Sequence, residues 1–167
     1  MTINDLIRQS IRKRAEFLCE YCHSPEKIST SRFTIDHLQP RSLGGSDDLI
    51  NLALACGRCN QRRYNFMTGC DRETLSIVPL FNPREQPWSE HFVWSVEGTT
   101  MIGITPVGRA TCDRLDLNDD RYKGEKSIQE ARALWVEAGW HPPSHDPQIA
   151  WRLIVTRSHF PIALTKA

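Results

Sequence analysis

Two Cys-x-x-Cys pairs, Cys19 with Cys22 and Cys56 with Cys59, constrain this chain more than any other feature. Four thiolates arranged as two knuckles suit a closed tetrahedral zinc site, which stabilises a fold and leaves no open position for chemistry. Between the pairs lie Asp36, His37 and Asn51, and Asn60 follows the last cysteine directly. A staple that joins the two knuckles pins whatever lies between them, so a segment with little core can still hold reactive groups in place. Six cysteines could also form three disulfides, but the paired spacing favours metal. Cys70 and Cys112 lie outside the pairs and read as ordinary small thiols.

The chain of 167 residues is long enough for one domain, or for a small domain with a substantial extension. Its 40% hydrophobic and 25% charged residues are ordinary for a soluble globular protein. No apolar run approaches the roughly 20 residues a membrane helix needs, which speaks against a membrane partner. The start, Met-Thr-Ile-Asn-Asp, lacks a basic and then apolar signal segment, so the expected compartment is the cytoplasm. The formal net charge is +1, but residues 1–72 hold eleven Lys and Arg against eight Asp and Glu, whereas residues 73–167 hold ten against twelve. Basic clusters at Arg12, Lys13 and Arg14, at Arg41, and at Arg58, Arg62 and Arg63 suit phosphate contacts, although a solvated helix face explains any one of them as well.

Texture changes near residue 72, dividing the chain into a first unit at 1–72 and an accessory region at 73–167. In the first unit, Thr2 and Asp5 resemble a capping box, and Ile3, Leu6, Ile7, Ile11 and Phe17 follow helical spacing, predicting a helix over 3–17. Phe33 to Leu38 alternates and is rich in strand formers, ending at Pro40. Leu43-Gly44-Gly45-Ser46 predicts a turn, with Ser46 or Asp47 capping a helical turn toward Asn51. Leu52 to Ala55 predicts a short apolar strand, and Asn60 to Phe66 a helix closing at Thr68-Gly69. In the accessory region, prolines at 79, 83 and 87 mark a loop. The runs 91–96 and 99–104 flank Glu97-Gly98, a two-residue hairpin signal. Thr105-Pro106 starts a helix to about Leu117, and Asn118-Asp119-Asp120 caps another reaching Trp135 and ending near Gly139. A last short helix is expected over 148–155. The five tryptophans, all at or beyond Trp88, read as core of this region rather than as a base-stacking platform.

A histidine on a strand and an amide on a following helix, tied by a zinc staple, make a hydrolytic layout. His37 would take a proton from water as general base, since imidazole titrates near neutral pH. Asp36 and Asn60 would hold a divalent cation by side-chain oxygens, a donor type that suits Mg²⁺ or Mn²⁺. Asn51 would hydrogen-bond across the loop and keep the histidine in register.

The run Cys19-Glu-Tyr-Cys22, Ile35-Asp36-His37-Leu38-Gln-Pro-Arg-Ser-Leu-Gly-Gly45 and Asn51-Leu-Ala-Leu-Ala-Cys56-Gly-Arg-Cys59-Asn60 resembles the HNH endonuclease family in its four-cysteine branch. His37 and Asn51 match the first two residues of the family's name. The third position falls on Asn60, a variant found among these nucleases that also offers a metal ligand. Arg63 stands where the family often carries a basic residue, and Arg41, Arg62 and Arg63 are the expected nucleic-acid contacts. The resemblance implies an α+β protein: a zinc-stapled ββα-metal core that cleaves phosphodiester bonds of duplex DNA, followed by a C-terminal extension with a β-hairpin and helices. It further implies structural Zn²⁺ and catalytic Mg²⁺ or Mn²⁺. The stretch from Leu80-Phe81-Asn82-Pro83-Arg84 through Trp88 and His91 to Arg109 resembles the extension of a bacterial and cyanobacterial HNH subset, and that likeness implies no particular role.

Each signal has a plainer reading. Paired knuckles also occur in modules that bind nucleic acid or protein without catalysis. A single histidine is commonly a packed or surface side chain, Asn51 a turn residue and Asn60 a helix cap; only their joint register points to an active site. His23 abuts the first knuckle, while His91, His141, His145 and His159 have no clear partner at ligand spacing: His141 and His145 are four apart, but Pro142-Pro143 between them argues against a shared helix face.

Overall fold

The computed structural model describes residues 3–119 and 126–145. The helix expected over 148–155 lies outside them. Helix α1 spans Asp5–Arg14, shorter than its apolar spacing predicts. Thr2 lies outside the described residues. Asn4 is the N-cap, its Oδ1 accepting the Ile7 amide at 2.8 Å. The helix stops because Glu16 and Phe17 adopt left-handed backbone angles (φ 48° and 62°), which turn the chain toward Cys19.

Strands β1 (Thr34–His37) and β2 (Leu52–Ala55) form an antiparallel pair in which Asp36 lies opposite Ala53 and His37 opposite Leu52. Every residue of β2 is buried, so it reads as a continuous apolar run rather than an alternating one. Helix α2 (Gly57–Arg63) begins earlier than Asn60 and ends earlier than Phe66. Cys56 is its N-cap, the sulfur accepting the Cys59 amide at 3.4 Å, and Tyr64 ends it with φ 49°. The order β1–β2–α2, preceded by the first knuckle, is the expected zinc-stapled α+β core.

A second antiparallel hairpin, β3 (Thr68–Asp71) with β4 (Ser76–Pro79), carries the chain across residue 72. Nothing in the amino-acid pattern signalled it: its side chains are largely exposed, so there is little apolar alternation to read. A third hairpin pairs β5 (Phe92–Trp94) with β6 (Met101–Gly103). Its connection is wider than the two-residue turn expected at Glu97-Gly98, closing through Ser95 N–H to Thr100 O at 2.9 Å and Gly98 N–H to Ser95 O at 2.8 Å. Helix α3 (Pro106–Leu115) has Thr105 as its N-cap and Pro106 in its first turn, as its sequence predicts. Helix α4 (Ser127–Glu137) is capped from a distance: Asp119 Oδ2 accepts the Ile128 amide at 2.6 Å.

Core residues run from Ile3 and Ile11 through the four cysteines, Leu52 and Leu54, to Phe81, Trp88, Phe92, Met101, Leu115 and Leu117 in one contiguous cluster. Trp88 lies at the join. Its ring stacks on His23 at 4.4 Å, and its Nε1–H donates to Tyr21 O at 3.1 Å. Two buried side chains, Arg84 and Glu20, form an ion pair beside it, and Arg58 reaches Asp116 and Asp119 from α2. Trp140 departs from the core expected of the tryptophans, being 57% exposed. Among the described residues no helix is long and apolar enough to cross a membrane.

Candidate active site and metal centre

The sulfur atoms of Cys19, Cys22, Cys56 and Cys59 all lie within 4.8 Å of one another, and all four residues are buried. Cys22 and Cys56 sulfurs stand 3.7 Å apart, close to the roughly 3.8 Å edge of a tetrahedron with Zn–S bonds of about 2.3 Å. Crowding separates the thiols: hydrogen bonds from its neighbours pull Cys22 well below the usual thiol range, while burial pushes Cys19 well above it. Four thiolates in so dry a place need a cation among them, and their donor type and spacing fit structural zinc. His23 is buried on Trp88 and stands outside this set.

Asp36, His37 and Asn60 line one open cleft of about 430 Å³, with Ile35, Arg41 and Tyr64 among its other walls. The register of β1 explains the first two. Asp36 points into the protein and is 5% exposed, while its neighbour His37 is half-buried at the strand end. Asn60 comes from the middle of α2, one residue beyond a zinc-site cysteine. The staple therefore fixes the distance between the strand and the helix that line the cleft.

Asp36 is heavily engaged. Tyr21 Oη donates to its Oδ2 at 2.5 Å, and Arg63 approaches the same oxygen at 3.2 Å. Burial raises the Asp36 pKa above the ordinary carboxylate value, with the Arg63 charge and the Tyr21 hydroxyl acting against that rise. His37 Nε2 lies 2.7 Å from Asp47 Oδ1. Arg41 forks onto the same carboxylate at 2.6 and 2.7 Å, and with His37 it holds the Asp47 carboxyl below its usual range.

Asn51 is not in the cleft but behind it. Its Oδ1 accepts the Gln39 amide at 2.7 Å, and its Nδ2 donates to Gln39 O at 3.1 Å and Ser46 O at 2.8 Å. This closes the loop as its sequence position suggests. Gly45 is required at the same place, since a Cβ there would lie 1.8 Å from Gln39 O. The preceding Gly44 takes φ 83°, which glycine adopts without penalty.

Of the three arginines expected to meet nucleic acid, only Arg41 lies on the cleft. Arg63 is 3% exposed and donates to His37 O at 3.0 Å and Leu38 O at 2.5 Å, which braces the strand end from within. Arg62 pairs with Asp116 at 2.9 Å. Sequence reading missed Tyr21 and Asp47. Tyr21 lies between two zinc-site cysteines, where a buried hydroxyl has no spacing signal, and Asp47 reaches His37 only through the shape of a loop.

Residues 19–66 match the family model described as HNH endonuclease, and the four-cysteine cluster of this segment fits the zinc-bearing branch. The rest of the chain lies outside that match. No curated protein and no solved structure matches the chain.

Proposed function

We propose that this protein is a metal-dependent endonuclease that hydrolyses phosphodiester bonds of duplex DNA. The observation that carries the reading is the convergence of Asp36, His37 and Asn60 on one open cleft, held by the four-cysteine cluster. The carboxylate of Asp36 and the carboxamide oxygen of Asn60 are hard donors of the type that takes Mg²⁺ or Mn²⁺. Held there, such a cation supplies charge stabilisation for the phosphate and its leaving oxygen.

The chain's own residues do the rest. His37 accepts a proton from a water placed in the cleft, acting as general base. Asn51 and Gly45 hold the loop so that the imidazole keeps its place against β1. Arg63 and Tyr21 fix the Asp36 carboxylate in one orientation, and Arg41 brings positive charge to the rim where a phosphate would arrive.

Supercoiled plasmid incubated with Mg²⁺, Mn²⁺ or EDTA tests this. The expected result is cation-dependent nicking that drops about 10²- to 10⁴-fold in His37→Ala, the usual size of a lost general base. Equal background from wild type and His37→Ala would overturn it.

One observation favours a second reading, a zinc-dependent module that binds nucleic acid or a partner protein without cutting. Asp36 already has a cationic partner in Arg63 at 3.2 Å, so part of its charge is met within the protein. That reading predicts salt-sensitive DNA binding and no nicking under any cation.

A further inference from the structure

The loop between β1 and β2 is built around a contact that metal binding does not require. Asp47 lies ten positions after His37 in sequence and returns to within 2.7 Å of its Nε2. Three devices bring it back: the left-handed turn at Gly44, the close passage of Gly45 against Gln39 O, and the Asn51 carboxamide bound to both Gln39 and Ser46. Arg41 then clamps Asp47 through both carboxylate oxygens, with Nη2 at 2.6 and 2.7 Å and Nε at 3.1 Å from Oδ1.

We infer that Asp47 is a positioning residue for His37: it holds the imidazole as the Nε2–H tautomer and so makes Nδ1 the atom that takes the proton. The inference rests on the nuclease reading for its catalytic meaning. Its physical basis is electrostatic. With the proton on Nδ1, the lone pair of Nε2 would face a carboxylate oxygen at 2.7 Å, a repulsive contact, and would keep only the longer hydrogen bond from Arg41 Nε–H at 3.2 Å. With the proton on Nε2, the ring donates a charge-assisted hydrogen bond to that oxygen. Arg41 Nε–H can donate to Nε2 at 3.2 Å only in the Nδ1–H ring; in the Nε2–H ring it donates to Asp47 Oδ1 at 3.1 Å, so ring and guanidinium converge as two donors on one acceptor. Among the described residues no protein group hydrogen-bonds Nδ1, and His37 lines the cleft. A base oriented by a carboxylate on its far nitrogen is the general logic of a base and its orienting group.

Arg41 consequently has two roles. It is a cation at the cleft rim, and it keeps Asp47 facing the ring. Its replacement acts through Asp47 as well as through any phosphate.

The experiment uses the full zinc-loaded chain with ¹⁵N-labelled histidine. Long-range ¹H–¹⁵N correlation spectra assign the His37 tautomer in wild type, Asp47→Ala and Asp47→Glu, and plasmid nicking gives kcat and KM for each. Wild type is expected to show Nε2–H and a bare Nδ1. Asp47→Ala is expected to lose that preference and to lower kcat about 10- to 100-fold, as for other residues that orient a functional histidine, with KM changed far less. Asp47→Glu should regain part of both. A wild-type ring protonated on Nδ1, or an Asp47→Ala protein with the same tautomer and kcat, would overturn the inference, and the wild-type spectrum alone can do so if the variant fails to fold. Should wild type fail to nick DNA while the tautomer follows Asp47, the nuclease reading falls and the orienting contact stands.

Discussion

Between Cys19 and Arg63 the chain gathers buried polar groups around four cysteines: Glu20, His23, Asp36 and Arg63 are all less than a tenth exposed. Between Leu80 and Leu117 stacked rings and apolar side chains carry most of the packing, with Arg84, Thr111 and Asp116 buried among them. Phe81 meets Phe92 edge-on at 5.1 Å, Trp88 packs on Phe92 at 5.2 Å and on Trp94 at 5.5 Å, and Met101, Leu115 and Leu117 complete the cluster. The four cysteines are the sole metal-capable cluster of this kind among the described residues. A metal staple fixes backbone positions without demanding apolar side chains, which frees neighbouring positions for carboxylate, imidazole and carboxamide groups. In an aromatic core each position given to a polar group removes packing and must be matched by a partner, as Arg132 is by Thr99 O and Asn118 Oδ1. The second region braces the first, through Trp88 on the knuckle and Arg84 on Glu20.

Removing the metal should separate the two regions most sharply. Structural zinc contributes apparent stabilities of about 10–16 kcal/mol in small zinc-finger peptides, far more than a short β1–β2 pair supplies. One zinc per chain is expected by elemental analysis, lost on chelation or in Cys56→Ser. Amide exchange in β1, β2 and α2 should then rise toward unfolded rates, with α3 and the β5–β6 hairpin less affected. Unchanged protection of Leu52 to Ala55 in metal-free protein would break the contrast at its root.

A smaller effect tests the brace. Trp88→Ala should cost about 3–5 kcal/mol, typical for deleting a buried aromatic ring. The loss should not stay within the aromatic region, because the same ring stacks on His23 and bonds Tyr21 O. Hydrogen exchange is expected to accelerate at the first knuckle as well as around Phe81 and Phe92. Acceleration confined to residues beyond 80 would mean that the two cores are energetically separate.

The same contrast explains what could be read from sequence. Metal ligands are specified by spacing, so the knuckles and the short strands and helix between and after them are local patterns. Asn51 is of the same kind, since an amide at that offset spans the loop. What escaped notice depends on depth rather than spacing. Arg63 carries the charge of a surface residue and is buried on the carbonyls of His37 and Leu38. Tyr21 and Asp47 act across folds of the chain that no periodicity encodes. In the second region the elements β5, β6 and α3 were legible from their breakers and caps. The β3–β4 hairpin was not, because a strand with exposed faces has no alternation: Ile77 is 70% exposed and Leu75, in the turn, 79%.

The smallest expected effect concerns acid, and His141 should confine part of it to the aromatic region. His141 is 4% exposed, edge-on to Trp94 at 4.3 Å and to Trp135 at 6.0 Å. Burial, followed by the charge of Arg132, lowers its pKa from 6.5 to about 4. Arg132 is fully buried over the Trp94 ring and spends its guanidinium on Thr99 O and Asn118 Oδ1, so it cannot turn away from the imidazole's surroundings without breaking those bonds. Between the two pKa values the unfolded chain binds a proton that the folded chain refuses. Stability from this group is therefore complete above about pH 6.5 and declines as pH falls toward about 4, by at most about 1.4 kcal/mol per pH unit. Urea midpoints followed by tryptophan fluorescence should fall across that window, and His141→Gln, which fills similar space without titrating, should flatten the slope. Thiolates that hold zinc also gain protons in acid, but that contribution is common to both proteins and cancels in their difference. Identical slopes for wild type and His141→Gln would show that His141 does not carry the acid response.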